Sequence, residues 1–239
     1  MNFADRLAAR VRTFGPTCAG IDPHLHLLPP DLGTTPVEAV RAFSMGALDA
    51  VCDEVAAIKP QVAFFEALGP RGGDIVVDLV RTARERGVPV ILDAKRGDLG
   101  STAKAYVQAT LRWDGPIGAD AVTLSPYLGE ESLQPYLAEL SEGHGVFVLV
   151  RTSNPGAGTW QNLGFAQGVA DWIARKNASL LGSCGLGPVG AVVGATLPTE
   201  AAHWRATMPN AWLLLPGYGA QGATAQDCAA FMRSDGLGG

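Results

Sequence analysis

The fold is decided by the stretch VPVILDAKRGDLG, which covers residues Val88–Gly100. Its first part, Val88–Asp93, is apolar until its last residue, as expected of a parallel strand buried on both faces. Its second part is charged and glycine-rich, and it begins where the apolar run ends. In parallel α/β folds, binding and catalysis take place at the carboxyl ends of the strands. We therefore predict a strand here, with candidate functional side chains directly after it.

The same pattern recurs along the whole chain. Six further apolar runs predict strands over Thr17–Asp22, Ala56–Pro60, Asp120–Ser125, Gly145–Arg151, Val189–Ala195 and Ala211–Pro216. Amphipathic stretches predict helices over Val37–Val55, Asp74–Arg86, Ser101–Trp113, Glu130–Leu140, Phe165–Leu181, Thr199–Ala206 and Thr224–Arg233. Seven strand–helix units in alternation indicate a parallel sheet. The residues alone leave two architectures open, a closed barrel and a doubly wound open sheet. No linker or repeat divides the chain, so we expect a single domain over residues 1–239.

Composition and charge exclude several classes of protein. The 239 residues include 18 Lys and Arg against 23 Asp and Glu, a net charge of −5, which argues against a nucleic-acid-binding protein. Hydrophobic residues make up 47% and charged residues 17%, which excludes a disordered chain. No apolar run reaches the roughly 18 residues of a membrane span, and the first residues lack the apolar stretch of a signal peptide. The four cysteines form no paired motif, so we expect reduced thiols and a cytoplasmic location.

Charged side chains stand at the ends of neighbouring strands. Asp93 and Lys95 are separated by one residue, and strand alternation would point both side chains to the same face. Lys59, at the end of the preceding strand, can reach the same space. With Asp98 these residues form a charge-balanced cluster, which tolerates burial better than an unpaired charge. A structural ion-pair network would explain the same pattern, but the loop glycine Gly97 and the strand-end positions favour a functional site.

A glycine-rich loop follows the seventh predicted strand. Gly217, Gly219 and Gly222 match G-x-G-x-x-G, but too few residues follow for the βαβ unit that a dinucleotide-binding motif requires. Backbone amides of such a loop can instead hold a phosphate, and barrels commonly place a phosphate site after strands seven and eight. A flexible turn without a ligand is the other interpretation.

Two further kinds of site have weaker support. His24 and His26 follow the first strand, where some barrel hydrolases place metal ligands, but His144 and His203 follow no strand, and the lysines would compete with a cation. We therefore expect no metal. Serine and cysteine nucleophiles are also disfavoured, because the chain has no G-x-S-x-G motif and no cysteine in a motif.

The segment LDAKRGDLGST, residues Leu92–Thr102, closely resembles the signature of the orotidine 5'-phosphate decarboxylases. Other blocks resemble the same family, and most of all its longer bacterial-type subgroup: Gly20–Pro23, Lys59–Glu66, Ser125–Gly129, Thr152–Pro155, Val192–Thr196 and Pro216–Gly222. The resemblance implies a (β/α)8 barrel, usually a homodimer. It implies conversion of orotidine 5'-monophosphate (OMP) to uridine 5'-monophosphate (UMP) and CO2, the last step of de novo UMP synthesis, with no metal and no organic cofactor.

The resemblance also implies roles for individual residues. Lys95 would donate a proton to C6 of the pyrimidine, Asp93 would face the substrate carboxylate, and Lys59 would link that network to the ribose. Asp98 would come from the partner subunit of the dimer. The implied substrate-binding residues are Asp22 on the ribose, Leu99 and Thr102 across the subunit interface, Ser125 on the pyrimidine edge, and Pro216, Gly217, Gly219 and Gln221 around the phosphate and base.

General chemistry supports the central role of a lysine. Loss of CO2 from C6 leaves a carbanion that the ring does not delocalise conventionally, and a fixed ammonium stabilises that charge and then supplies the proton. Three alternatives stay open: a Mg²⁺-dependent 3-keto sugar-phosphate decarboxylase of the same superfamily, a metal-dependent hydrolase built on His24 and His26, and a barrel that binds phosphate ligands without turnover.

The length of the chain adds one expectation. At 239 residues it is slightly shorter than the roughly 250 typical of a full barrel. Seven strand–helix units are recognisable, so the eighth unit, with the phosphate-binding arginine that the family carries after its eighth strand, is expected to be missing from this sequence. Arg233 lies on the last predicted helix and does not match that arginine.

Overall fold

The computed structural model describes residues 2–219 and 221–239. Seven parallel strands follow one another in space in the order of the chain. They are β1 (Cys18–Ile21), β2 (Ala57–Pro60), β3 (Ile91–Arg96), β4 (Ala121–Leu124), β5 (Gly145–Arg151), β6 (Val189–Val193) and β7 (Leu213–Leu214). Each predicted strand is present. Two parallel bridges, Ile58 with Val90 and Gln61 with Asp93, connect β2 to β3. The order never reverses, which excludes the doubly wound sheet and leaves the barrel.

Helices and short helical turns connect the strands on the outside. They are α1 (Phe3–Phe14), α2 (Pro36–Val51), α3 (Val62–Glu66), α4 (Pro70–Glu85), α5 (Gly100–Thr110), α6 (Gln134–Leu137), α7 (Gly158–Trp160), α8 (Ala166–Asn177), α9 (Ala201–Thr207) and α10 (Ala225–Ala229). Helix α2 begins with a capping box, in which Thr35 accepts from the amide of Glu38 and the Glu38 carboxylate accepts from the amide of Thr35. None of the helices that the structure describes is long and apolar enough to cross a bilayer.

Several predicted helices have different bounds in the structure. The stretch Glu130–Leu140 is not one helix, because Pro135 breaks it and only α6 is α-helical between two 3₁₀ turns. Helix α8 ends at Asn177, before the predicted end at Leu181. The Asn177 side chain is buried and donates to the carbonyl and accepts from the amide of Val189. The final helix begins after its N-cap, Thr224, and ends at Ala229, four residues before the predicted end at Arg233.

Three helices were not predicted: α1, α3 and the short α7. The first of them closes the bottom of the barrel. Helix α1 starts at Asn2, whose side chain accepts from the amide of Ala4. Its buried face packs into the amino-terminal end of the barrel, where the ring of Phe3 meets that of Phe147 edge to face at 6.1 Å. The strand backbone must approach closely there, since a Cβ on Gly145 would lie 2.3 Å from the Phe3 ring. The second, α3, is a single short turn after β2.

The larger core fills the layer between the strands and the outer helices, and it includes residues from Ile21 to Phe231. The last described residues lie beside β7, where the amide of Leu213 donates to the carbonyl of Gly238 at 2.8 Å. Within residues 2–219 and 221–239 no strand pairs with both β7 and β1. The predicted barrel is therefore observed over seven strands, and a cleft separates the first strand from the seventh.

Candidate active site

An alternating row of charges lies at the carboxyl ends of the first three strands. The Nζ atom of Lys59 lies 3.8 Å from a carboxylate oxygen of Asp22 and 3.2 Å from one of Asp93. The Nζ atom of Lys95 lies 2.6 Å from the other carboxylate oxygen of Asp93. The two predicted catalytic lysines thus share one aspartate, and Asp22 extends the row toward β1.

The carboxylate of Asp93 is the centre of this arrangement, because each of its oxygens accepts two hydrogen bonds. Oδ1 accepts from Lys95 Nζ at 2.6 Å and from the hydroxyl of Thr123 at 2.9 Å. Oδ2 accepts from Lys59 Nζ at 3.2 Å and from the side-chain amide of Gln61 at 2.9 Å. Asp93 is only 7% exposed, and this full set of donors explains how a buried carboxylate is tolerated.

Two of these four donors were not predicted from the sequence. Gln61 belongs to a block that carried the family resemblance, but no role was assigned to it. Thr123 stands inside the apolar strand β4, and a lone threonine there gives no signal of a site. Only the spatial neighbourhood of Asp93 identifies both residues.

The charges of Asp93 and Lys59 stabilise each other. Burial by itself raises the pKa of Asp93, but the charge of Lys59 and hydrogen bonds from Lys95 and Thr123 outweigh it, so that the pKa lies below its usual value. Burial by itself lowers the pKa of Lys59, but the charges of Asp93 and Asp22 outweigh it, so that the pKa lies above its usual value. Both groups are therefore ionised at neutral pH.

Lys95 reaches Asp93 by a different route from the one predicted. The expectation of simple strand alternation at Lys95 is wrong, because its φ is +46°, in the left-handed region. The pairing of β3 with β4 skips from Leu92 opposite Val122 to Arg96 opposite Leu124, which marks a bulge. The bulge turns the Lys95 side chain, 47% exposed, toward the open end of the barrel while its Nζ still contacts Asp93.

The residues predicted to act across a subunit interface lie apart from this row. Asp98 forms no salt bridge with a residue that the structure describes, and its carboxylate accepts from the amide of Leu99 at 2.7 Å. Leu99 precedes α5 and is 42% exposed, and Thr102 lies exposed on the first turn of that helix. The single chain therefore does not bring Asp98 to Lys95.

The other predicted substrate-binding residues lie on the loops after β4 and β7. The amide of Ser125 donates to the carbonyl of Arg96, next to Gly97. In the loop after β7, Gly217 has φ +114° and Gly219 has φ +73°. The amides of Gly219 and Gln221 donate within this loop, which leaves them unavailable for a phosphate in this conformation.

A cavity of about 680 Å³ opens between β1 and β7. Its polar end is lined by Asp22, Lys59, Gly217 and Gln221, and its apolar end extends into the barrel past Trp212. This volume lies in the range of small-molecule sites. The cavity brings the phosphate-loop candidates and the charged row to the same opening.

The two histidines after β1 do not form a metal centre with other residues. Their rings lie 5.7 Å apart, and the ring of His24 packs on Phe64 at 4.2 Å. In the part of the chain that the structure describes, no group of three or more His, Cys, Asp or Glu side chains is arranged to hold a metal ion.

Comparison with known proteins gives a consistent result. Residues 33–234 match the model of the Orotidine 5'-phosphate decarboxylase / HUMPS family. A relative from Rhodopirellula baltica named orotidine 5'-phosphate decarboxylase is 44% identical, over 100% of this chain and 85% of its own length. A crystal structure from Streptomyces avermitilis, assigned to the same decarboxylase, has a TM-score of 0.86 at 43% identity and covers 96% of this chain and 82% of that one. The OMP decarboxylase of Leishmania donovani has a TM-score of 0.82 at 34% identity, over 100% and 87% of the two chains.

Fold and site together define an enzyme of the (β/α)8-barrel type that carries a row of lysine and aspartate side chains at its strand ends. The chain belongs to the Orotidine 5'-phosphate decarboxylase / HUMPS family. Within that family its relatives are OMP decarboxylases, so the predicted fold and the predicted function in pyrimidine biosynthesis are confirmed. Neither the Mg²⁺-dependent sugar-phosphate decarboxylase nor the metal-dependent hydrolase is supported by these relatives.

Proposed function

We propose that this protein decarboxylates OMP at the row formed by Asp22, Lys59, Asp93 and Lys95. The observation that carries the proposal is the Asp93 carboxylate, held by two lysine ammonium groups at 2.6 and 3.2 Å. A substrate carboxylate that enters this space meets a fixed negative charge, while the developing carbanion meets the Lys95 ammonium. Preorganised charge of this kind is the usual source of large rate enhancements.

Each charged residue then has a distinct part in the reaction. Asp93 disfavours the substrate carboxylate in the ground state and keeps Lys95 in place; the carbon–carbon bond to CO2 breaks, and its electron pair remains on C6. Lys95 donates a proton from Nζ to C6, which yields UMP. Lys59, between Asp22 and Asp93, contacts the ribose, and Asp22 binds a ribose hydroxyl.

The remaining predicted contacts complete the substrate site. Ser125 binds the pyrimidine edge, and the loop after β7 binds the phosphate and base through Pro216, Gly217, Gly219 and Gln221. Because the amides of Gly219 and Gln221 are engaged within that loop, phosphate binding requires the loop to rearrange. Remote phosphate contacts can supply the energy for such ordering.

We further propose that the enzyme is a homodimer with shared sites. Asp98, Leu99 and Thr102 lie away from the charged row of their own chain and are accessible at the carboxyl face, which suits a role in the partner's site. No cofactor or metal is required by the proposed steps, since Lys95 supplies both the charge and the proton. Residues 1–239 act as one catalytic domain in this scheme, and the free thiols of all four cysteines suit the predicted cytoplasmic location.

Replacement of the proton donor tests the proposed function. Lys95→Ala should lower kcat for OMP by at least about four orders of magnitude, because both charge stabilisation and general-acid catalysis are lost. The measurement is UMP formation at saturating OMP, with circular dichroism to show that the variant is folded. Arg175→Ala, which removes an exposed charge from α8, is the matched control and should keep full activity. Near-normal turnover by folded Lys95→Ala, or binding of UMP without any OMP turnover by the wild type, would contradict the proposal.

A further inference from the structure

Thr123 lies inside β4, 1% exposed, directly beneath the charged row. Its hydroxyl oxygen accepts from the backbone amides of Ala94 at 3.0 Å and Lys95 at 2.9 Å. The same hydroxyl lies 2.9 Å from Oδ1 of Asp93. A hydroxyl has two acceptor lone pairs and one hydrogen. Both lone pairs are occupied by amides, so the hydrogen is directed at the Asp93 carboxylate.

The bulge in β3 explains why these contacts matter. Three residues of β3, Asp93 to Lys95, lie opposite the single residue Thr123, because the pairing skips from Leu92 to Arg96. The amides of Ala94 and Lys95 donate to the Thr123 hydroxyl instead of to a β4 carbonyl, and an unpaired buried amide costs about 1–3 kcal/mol. One side chain thus replaces the strand pairing of two residues and also binds the carboxylate of the third, Asp93.

The conformation of Lys95 depends on the same contacts. Its φ of +46° is unfavourable for a residue with a side chain, and such strain persists only where the surroundings impose it. The hydrogen bond from the Lys95 amide to Thr123 lies at the strained residue itself. Without it, the backbone could relax toward an extended conformation, and Nζ would move away from Asp93.

We propose that Thr123 is a positioning residue for the decarboxylation, which sets the Lys95 backbone and the Asp93 carboxylate relative to each other. The inference rests on the proposed function, because Lys95 and Asp93 are its reacting pair. Thr123 itself lies behind Asp93, with its hydrogen bonds used within the protein, and touches no substrate. Gln61 donates to the other carboxylate oxygen, whereas the Thr123 hydroxyl bonds both the Lys95 amide and the Asp93 carboxylate, so that it couples the two residues directly.

Two comparisons isolate the hydroxyl: Thr123→Val with the wild type, and Thr123→Ala with Thr123→Ser. Thr123→Val keeps the shape and removes only the hydroxyl, and Thr123→Ser and Thr123→Ala differ from each other by the hydroxyl alone. We expect Thr123→Val and Thr123→Ala to lower kcat about 100-fold, the effect of a misplacement near 1 Å, with KM for OMP changed less than about threefold. Thr123→Ser should stay within about fivefold of the wild-type kcat.

A second readout separates positioning from mere packing. Without the Thr123 donor, the ionised form of Asp93 is less favoured, so the acidic limb of the kcat/KM profile should move to higher pH in Thr123→Val and stay in place in Thr123→Ser. Thr110→Val is the matched control: Thr110 is also buried, but its hydroxyl donates to the carbonyl of Tyr106 on α5. Its acidic limb and kcat should match the wild type.

The outcomes distinguish this inference from the proposed function. If the wild type decarboxylates OMP and Lys95→Ala does not, while folded Thr123→Val keeps its kcat within threefold, the positioning role is refuted and the function stands. Equal losses in Thr123→Ser and Thr123→Ala, with no shift in the acidic limb, would refute it as well. If Thr123→Val fails to fold, the Ser and Ala pair decides by the same criteria.

Discussion

Lys95 has a backbone conformation that its own side chain does not favour. A left-handed residue that is not glycine costs about 1–3 kcal/mol, and glycine would relieve that cost. A glycine, however, carries no ammonium, so the proposed chemistry requires the lysine, and the surrounding hydrogen bonds maintain its conformation. Asp93 shows the same dependence on neighbours. Three donors at the ends of β2 and β3 and one inside β4 make its buried charge tolerable.

A buried histidine, His144, allows a prediction of how the free energy of unfolding depends on pH. His144 is fully buried between the stacked ring of Trp113 and the carbonyl of Ala119, and burial lowers its pKa. In the unfolded chain it takes up a proton near pH 6.5, whereas in the folded protein it does so only at lower pH. Between these values the unfolded state binds more protons, so the free energy of unfolding should fall as the pH falls.

Replacement of His144 should reduce that dependence. Urea unfolding between pH 7.5 and pH 5.5 is expected to show a smaller loss of stability for His144→Asn than for the wild type, whatever their difference at pH 7.5. The neighbouring pair of Arg6 and Asp120 is common to both proteins and so does not affect the comparison. Identical slopes in the two proteins would show that His144 is not the titrating group.

At the scale of elements, hydrophobic patterns located the strands well and the helices less well. A strand buried on both faces has a short apolar sequence with clear ends, and all seven such sequences form strands. The helix pattern over Glu130–Leu140 was misleading, because Pro135 interrupts the helical backbone without interrupting the apolar spacing. Helix α1 was missed because its amphipathic sequence precedes the first strand and its partner, the barrel floor, exists only after folding.

The contribution of α1 can be measured through Phe3, which is 1% exposed. Phe3→Ala should lower the free energy of unfolding by about 3–5 kcal/mol, since a large aromatic side chain leaves a cavity in the barrel floor. Chemical denaturation measures this directly. Arg12→Ala, at an exposed position of the same helix, should change stability by less than about 0.5 kcal/mol. A loss below about 1 kcal/mol for Phe3→Ala would mean that α1 does not support the barrel.

The whole molecule is a barrel of strands in chain order, and this order brings the charged groups of the candidate site together. Neighbouring strands β1, β2 and β3 place Asp22, Lys59 and Asp93 side by side, although more than 30 residues separate each from the next. Asp98 is the exception, since it forms no ion pair with the row or with any other residue that the structure describes. Under the proposed function, Asp98 would act in the site of a second subunit.

Subunit mixing tests that arrangement. Lys95→Ala and Asp98→Asn should each be inactive alone, while a heterodimer of the two contains one site in which both residues are wild type. After subunit exchange of equal amounts, about a quarter of the wild-type activity should return, because half of the dimers are mixed and each has one intact site. Two Lys95→Ala preparations, mixed in the same way, provide the control. Absence of recovery after proven exchange would place Asp98 in the site of its own chain or outside the reaction.

Independence from metal ions is a further expectation for the whole enzyme. All acceptor positions of Asp93 face donors from the protein, and the two lysine ammonium groups repel a divalent cation. Protein dialysed against EDTA should keep its full kcat, and added Mg²⁺ should not raise it. A loss that Mg²⁺ restores would point to the chemistry of a metal-dependent decarboxylase.

The sequence by itself determined the seven strands, the parallel α/β class and the residues that stand at the strand ends, because burial on both faces and charge after a strand are local patterns. It also determined the family, through motifs that are contiguous in the chain. Only the tertiary structure decided that the strands follow one another around a barrel and not in a doubly wound sheet, that Lys95 lies in a bulge, and that Thr123 and Gln61 surround Asp93. These features depend on contacts between residues about 30 positions apart, and such contacts leave no periodic or local mark in the sequence.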